Sequence, residues 1–365
     1  MTPSEAGIAL RREFFTDVER TILRAGDLSA SLFRYGTGVE AVRLANPRGH
    51  VVVLPYMGQM VWRACFEGVE LAMRGMFDEP RPGATILDTY GCLAYHAGML
   101  RNGTPGPEDA HPLHGEMPCM PMDAAGLALG EDEEGPWVAV TGERDYAQGF
   151  GAHYRATPRI RLRAGATDFE MSIAVENLSA APVDLMYICH ANFGFPEGAR
   201  IVQPVPFDPD HVVTRTAIPG HVVTTERYRA TLRDLAADPS GAEVLDDPSR
   251  FSPEQVFYVK GLEPDPAGLA RFMLLRREGD AFTVAYDPAA MPHTVRWLLA
   301  DGDHGVAGFA MPGTCEPEGH AAEARKGHVR SLAAGARVAF TTRLGYADRD
   351  AASELSRTIA AQRKG

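Results

Sequence analysis

The sequence predicts an all-β protein, a large antiparallel β-sandwich with a short N-terminal helix. Three observations carry that expectation. After Gly26 the chain is a succession of short β-prone runs broken by glycine and proline. In one of these runs Phe169, Met171, Ile173 and Val175 recur at every second position, the period of a half-buried strand. The runs do not alternate regularly with helical patterns, as a parallel sheet would require.

Taken in order, residues 4–24 read as a helix. Ser4 is a suitable cap. Leu10, Phe14, Val18 and Ile22 recur every four residues, and Ile8, Phe15 and Ile22 every seven, which gathers them on one side. Strands are expected at 31–35, 39–45, 50–55, 60–66 and 69–73, then at 137–141, 153–163, 168–177 and 183–192. Later ones are expected at 220–228, 255–259, 271–276, 281–286, 294–299, 305–310 and 337–344. The stretch 229–253, with Asp234, Asp238, Pro239, Asp246, Asp247 and Pro248, reads as an ordered surface insertion rather than a linker. A second helix is expected at 350–362. The chain therefore divides into an N-terminal helical arm (1–28), one β-sandwich (29–348) and a C-terminal tail (349–365).

Bulk properties narrow the function. The 365 residues are 45% hydrophobic and 23% charged, with a formal net charge of −12. So negative a surface disfavours nucleic acid or an anionic membrane as partner. The five cysteines, Cys65, Cys92, Cys119, Cys189 and Cys315, are widely spaced and form no CxxC pair, which fits a reducing compartment. With no apolar leader and no run long enough to span a bilayer, the expected location is the cytoplasm. The composition is compatible with a homo-oligomer as well as a monomer.

Three places hold residues that can carry chemistry. The first is the stretch HPLHGEMPCMPM at 111–122, with His111, His114, Gly115 and Glu116. On an extended backbone residues two apart share a face, so His114 and Glu116 would point together into a cleft. The second is 187–196, where an apolar run ends in His190 and Asn192 and breaks at Gly194 and Pro196. The third is 312–320, with Glu316 as a candidate base or hydroxyl acceptor; it also fits a solvated turn. Either histidine, taken alone, also fits a structural role. GxGxxG after a strand, GxxxxGK[ST], HExxH and GxSxG are all missing, which leaves the nucleotide, P-loop and α/β-hydrolase readings little support.

In this order, the three places resemble the aldose 1-epimerase (galactose mutarotase-like) superfamily, and most closely its uncharacterised domain-of-unknown-function branch. That branch has a Gly-rich strand, a PLHGR-like motif, YHxNFGxP, a segment like GLEPGT, and LxPGE before the last strands. The counterparts are residues 90–98, 113–116, 187–196, 308–314 and 332–337, before 338–346. The resemblance implies a β-supersandwich that binds a sugar in a shallow cleft and interconverts its anomers without a cofactor. It further implies that His114 binds or polarises the sugar, that His190 is the general acid, and that a carboxylate is the base. Here the chain departs from the pattern. Met311 falls where one alignment puts the glutamate, Glu316 is the base under another, and Glu116 replaces the arginine that usually follows His-Gly. The alternatives are a metal-assisted sugar isomerase, epimerase or lyase on the same scaffold, with a divalent metal held by His114, Glu116 and His190, since two imidazoles and a carboxylate form a common ligand set, and a non-catalytic carbohydrate-binding protein. Arg63, Trp62, His96, Arg101, Asn192 and Trp297 are the candidates for contacting the sugar, with Trp297 equally readable as a core residue.

Overall fold

The computed structural model describes residues 5–218, 220 and 222–363, and it is built from two antiparallel sheets. One has nine strands in the order Ala6–Ala9, Ala124–Asp132, Gly135–Ala147, His153–Arg163, Asp168–Asn177, Arg337–Ala347, Ala281–Tyr286, Ala270–Leu275 and Arg200–Val202. The other runs Val212–Thr214, Gln255–Val259, His293–Ala300, Gly305–Gly313, Val183–Ala191, Ala94–Met99, Met60–Phe66, Gly49–Leu54, Glu40–Asn46, Leu28–Arg34 and Arg20–Ala25. Three short strands join this second sheet beside that path.

The core lies between the sheets, and strand parity decides what enters it. In His153–Arg163 burial alternates residue by residue, with Tyr154, Ala156, Ile160 and Leu162 inward. Across the gap, Val183–Ala191 sends Tyr187 and Cys189 inward. Tyr187 stacks on Phe340 of the nine-stranded sheet with centroids 4.7 Å apart, and Cys189 Sγ lies 3.9 Å from Met171 Sδ. Ile188 and His190 must then face the opposite side of the larger sheet. The same parity separates neighbours in His293–Ala300. Arg296 is fully buried, donating to the Phe309 carbonyl at 3.0 Å and to Gln203 Oε1 at 2.6 Å, and Trp297 projects the other way.

The N-terminal helix is not formed. Residues 6–25 instead make strand Ala6–Ala9, a 3-10 turn at Arg12–Phe14 and strand Arg20–Ala25; Ser4 lies outside the described residues. The first strand pairs with Ala124–Asp132 and the second with Leu28–Arg34, so this segment closes one edge of each sheet instead of forming a separate arm. Unpaired edge groups provide the drive, and the four-residue apolar spacing is not what gets buried. Phe14, Val18 and Ile22 stay 46%, 59% and 41% exposed, while Leu10 and Phe15 enter the core.

The other helices are few. The expected strand at 220–228 is replaced by an irregular stretch leading into helix Glu226–Ala237, with His221 outside the described residues. Thr225 Oγ1 caps this helix by accepting from Tyr228 N at 3.1 Å, and Tyr228, Leu232 and Leu235 form its buried face. The β-branched run 222–225 is the cap and its approach, not a strand. The remaining insertion is ordered through two 3-10 turns, each entered by an aspartate-proline pair. Strand Ala124–Asp132 and helix His320–Lys326 were not anticipated, since AAGLALGED and HAAEARK carry little periodic signal. The C-terminal helix is present as Arg349–Gln362, capped by Asp348 and packed through Ala352 and Ile359. Among the described residues no helix is long and apolar enough to cross a membrane.

If the N-terminal segment closes sheet edges, its two adjacent phenylalanines should differ sharply. Phe15→Ala should cost roughly 3–5 kcal/mol in denaturant unfolding. Phe14→Ala should change stability by no more than about 0.5 kcal/mol.

Candidate functional site

His190 is placed by pairing. In the register of Val183–Ala191 with Ala94–Met99 it lies directly opposite Tyr95, and the two rings stack with centroids 4.6 Å apart and planes 11° apart. His114 comes from a loop clamped by main chain: its N–H donates to the Gly103 carbonyl at 3.0 Å, and its carbonyl accepts from Gly98 N at 2.9 Å. At φ +61° it is in the left-handed region, which few non-glycine residues adopt, and Gly115 follows at φ +82°. A Cβ on Gly115 would lie 2.0 Å from the Arg101 carbonyl oxygen, so only glycine fits there. This turn brings the His114 and His190 rings to a centroid distance of 4.7 Å at 67°.

The pair lies on the wall of a cleft of about 520 Å³, a volume in the range of small-ligand sites. Tyr90, Trp297, Leu113, Met311 and Ile188 supply much of its apolar wall, while Glu254, Arg215, Asp301 and His304 add polar groups. Trp297, whose ring lies 5.8 Å from that of His190, donates its indole N–H to Glu254 Oε2 at 2.7 Å. A register shift between Val295 and Trp297 interrupts the pairing of that strand with Gly305–Gly313 just before the indole. Arg215 is held by two 2.7 Å bonds to Glu318, which also accepts from the Tyr258 hydroxyl.

Asn192 fixes the chemistry of His190. Its Nδ2 donates to the Cys92 carbonyl at 3.1 Å, so its Oδ1, 2.9 Å from His190 Nδ1, accepts the proton carried there. His190 Nε2 is thereby the lone-pair nitrogen. Burial, with His114 adding to it, holds the His190 pKa well below the usual 6.5, and the bond to Asn192 opposes this only in part. Burial likewise lowers His114 to about 4, with His111 contributing. Both rings are therefore neutral at pH 7. His114 Nδ1 is buried without a hydrogen-bond partner, so no protein group dictates its tautomer.

Several expected residues lie elsewhere. Glu116 does not share a face with His114, because the chain between them turns rather than extends. Its Oε1 accepts from Met99 N at 3.0 Å, Leu100 N at 2.8 Å and the Tyr154 hydroxyl at 3.0 Å. The ligand set His114, Glu116 and His190 is consequently not assembled. Glu316 does not line the cleft either: its Oε2 accepts from Lys326 Nζ at 2.7 Å. His96 has the parity of Tyr187, to whose hydroxyl its Nδ1 is hydrogen-bonded at 3.0 Å on the inter-sheet side; burial drops its pKa to about 3. Arg63 donates to the Gly91 carbonyl, Arg101 pairs with Asp184, and Trp62 is core. Asn192 reaches the site through His190. Met311, where the resemblance puts a glutamate, does line the cleft. Glu254, Arg215, Tyr90 and Tyr95 were not expected as site residues; only the position of the two tyrosines within the Gly-rich segment 90–98 offered a signal.

The family described as a domain of unknown function, DUF4432, matches residues 36–345. No curated protein matches the chain. Among solved structures, a "putative aldose 1-epimerase" from Klebsiella pneumoniae subsp. pneumoniae superposes with a TM-score of 0.81 at 16% identity, over 99% of this chain and 96% of that one. A galactose mutarotase-like protein from Clostridium acetobutylicum superposes with a TM-score of 0.56 at 12% identity, over 89% and 100%. At such identities these likenesses show a shared fold, the galactose mutarotase-like β-sandwich.

Two outcomes follow from this geometry. Glu116→Gln should lower stability by about 1–3 kcal/mol through its weakened bonds to the 99–100 backbone, and should leave any turnover per folded molecule unchanged. The unfolded chain binds protons at His114 near pH 6.5, the folded chain only near 4. The stability gained by keeping this ring neutral is thus complete above about pH 6.5 and lost as pH falls towards 4. Denaturant unfolding should show a decline that is shallower in His114→Asn by up to about 3 kcal/mol at the acid end.

Proposed function

This chain belongs to the DUF4432 family; from its cleft geometry and shared fold we propose that it is an aldose 1-epimerase-type enzyme, interconverting the anomers of a free sugar in the cleft of His114 and His190. The observation that carries the reading is the histidine pair: two neutral rings 4.7 Å apart at a cleft wall, one with its lone pair dictated by Asn192. His190 Nε2 takes the proton from the anomeric hydroxyl. The C1–O1 bond becomes a carbonyl, the C1–O5 bond breaks, and O5, polarised by a hydrogen bond from His114 Nε2–H, receives the proton that His190 now carries as an imidazolium. Rotation about C1–C2 presents the other carbonyl face. The reverse transfers then close the ring and return each proton to the group that supplied it.

This assigns His190 the base role before the acid role implied by the resemblance, because its tautomer favours acceptance. Glu254, beyond Trp297 from His190, serves as acceptor for a sugar hydroxyl, and the indole face covers the apolar side of the ring. The reaction needs no nucleotide or redox cofactor. The five cysteines are free, which fits a cytoplasmic enzyme acting on a small soluble sugar.

Anomerisation of a panel of free hexoses and pentoses, followed by polarimetry or NMR, tests the reading. At least one sugar should equilibrate faster with the protein. His114→Ala and His190→Ala should each slow that reaction by ~10²–10⁴-fold with the fold retained. No acceleration for any sugar contradicts it. Met311 in the cleft motivates a second reading, a sugar-binding protein lacking the usual base, which predicts saturable binding without turnover.

A further inference from the structure

A second group of proton-active side chains lies away from the cleft histidines. His293 opens strand His293–Ala300, Glu316 follows strand Gly305–Gly313, and His328 precedes strand Arg330–Leu332. One ligand atom from each lies within 4.8 Å of the other two, and the imidazole centroids are 4.1 Å apart. Among the described residues no other three His, Cys, Asp or Glu side chains gather in this way.

The surroundings are built for one of these rings. His328 Nδ1 lies 2.8 Å from Oε2 of Glu323, a fully buried carboxylate, and so donates its proton there. The same oxygen accepts from Glu316 N at 2.9 Å, and Lys326 Nζ holds Oε1 at 2.8 Å. Glu323 is therefore held by three hydrogen-bond partners, and the lone pair of His328 is directed onto Nε2. A carboxylate behind an imidazole is how metal-binding histidines are oriented and made more basic. Lys326 also occupies Glu316 Oε2 at 2.7 Å, which leaves Oε1 for another partner. The two carboxylates face Lys326, and Arg330 also acts on His293, so the cluster is close to charge balance before any ion binds.

We propose that His293, Glu316 and His328 bind one divalent transition-metal ion, best matched by zinc, with Glu323 as the outer partner that orients His328. Two imidazoles and a carboxylate are a recurring zinc ligand set, and tetrahedral bonds of ~2.0–2.2 Å require the ligand atoms to close by up to ~1.4 Å from their present separation. The fourth position is left to water. The ion clips together a strand end, the loop after Gly305–Gly313 and the segment after helix His320–Lys326. That loop also carries Pro317, whose carbonyl accepts from Thr104 N at 3.0 Å, and Glu318, which holds Arg215. Metal binding therefore braces one rim of the cleft and takes no part in the proton transfers.

The full chain, stripped with a chelator and then titrated with Zn²⁺ by calorimetry and by thermal unfolding, tests this directly and independently of sugar turnover. One equivalent should bind and raise Tm. His293→Gln and His328→Gln should each weaken binding at least ~100-fold and Glu323→Gln ~10–100-fold, whereas His190→Gln should bind as the unaltered chain does. No saturable binding, or binding that survives both His293→Gln and His328→Gln, overturns the proposal, leaving the cluster as a lysine–glutamate–histidine ion-pair network. If either variant fails to fold, the unaltered chain loaded with Co²⁺ gives a second readout. An intense tetrahedral d–d spectrum at one equivalent is expected, and the weak spectrum of the aqua ion overturns it.

Discussion

The site depends on the pleat of one strand. In Val183–Ala191 parity sends Tyr187 and Cys189 into the inter-sheet core and His190 to the opposite face. A shift of one residue would expose a tyrosine and a thiol and bury the imidazole in the core, so packing against Phe340 and Met171 holds His190 in place. Asn192, just past the strand end, then fixes which nitrogen carries the proton. Core packing, ring orientation and proton chemistry are set within six consecutive residues.

Strands with a clear inside and outside were legible. His153–Arg163, Asp168–Asn177, Gln255–Val259 and Ala281–Tyr286 begin and end where the alternation and its flanking turns place them. Residues 6–25 misled because the spacing of Leu10, Phe14, Val18 and Ile22 fits a helix, while the open sheet edges offered more backbone hydrogen bonds than a lone helix could offer buried area. Tertiary demand overrode local pattern there. In 222–225 β-branched residues suggested a strand, yet Thr225 is a helix cap.

The histidine pair of the cleft was legible in the sequence, and the placing of the carboxylates was not. His114 and His190 sit in motifs whose order along the chain is informative, and they do meet. Glu116 was paired with His114 on the assumption of extended backbone, and a residue at φ +61° breaks that assumption without any mark in the sequence. Glu316 stands one residue from the cleft-lining Pro317, but its side chain turns to Lys326. Glu254 is contributed by a segment remote from every recognised motif, and only the packing of Trp297 brings it in. Both misplaced glutamates hold structure together: one ties a loop to the 99–100 backbone, and the other joins the cluster of His293 and His328.

If the cleft acts as proposed, His190 is neutral, protonated on Nδ1, and offers Nε2 to a sugar. Long-range proton–nitrogen correlation NMR of the histidine rings near neutral pH measures this directly. The expected spectrum is that of a neutral His190 with its proton on the nitrogen bonded to Asn192, and with an Nε2 resonance that moves when the cleft fills with sugar. An imidazolium, the opposite tautomer, or an Nε2 signal indifferent to every sugar tried would contradict it.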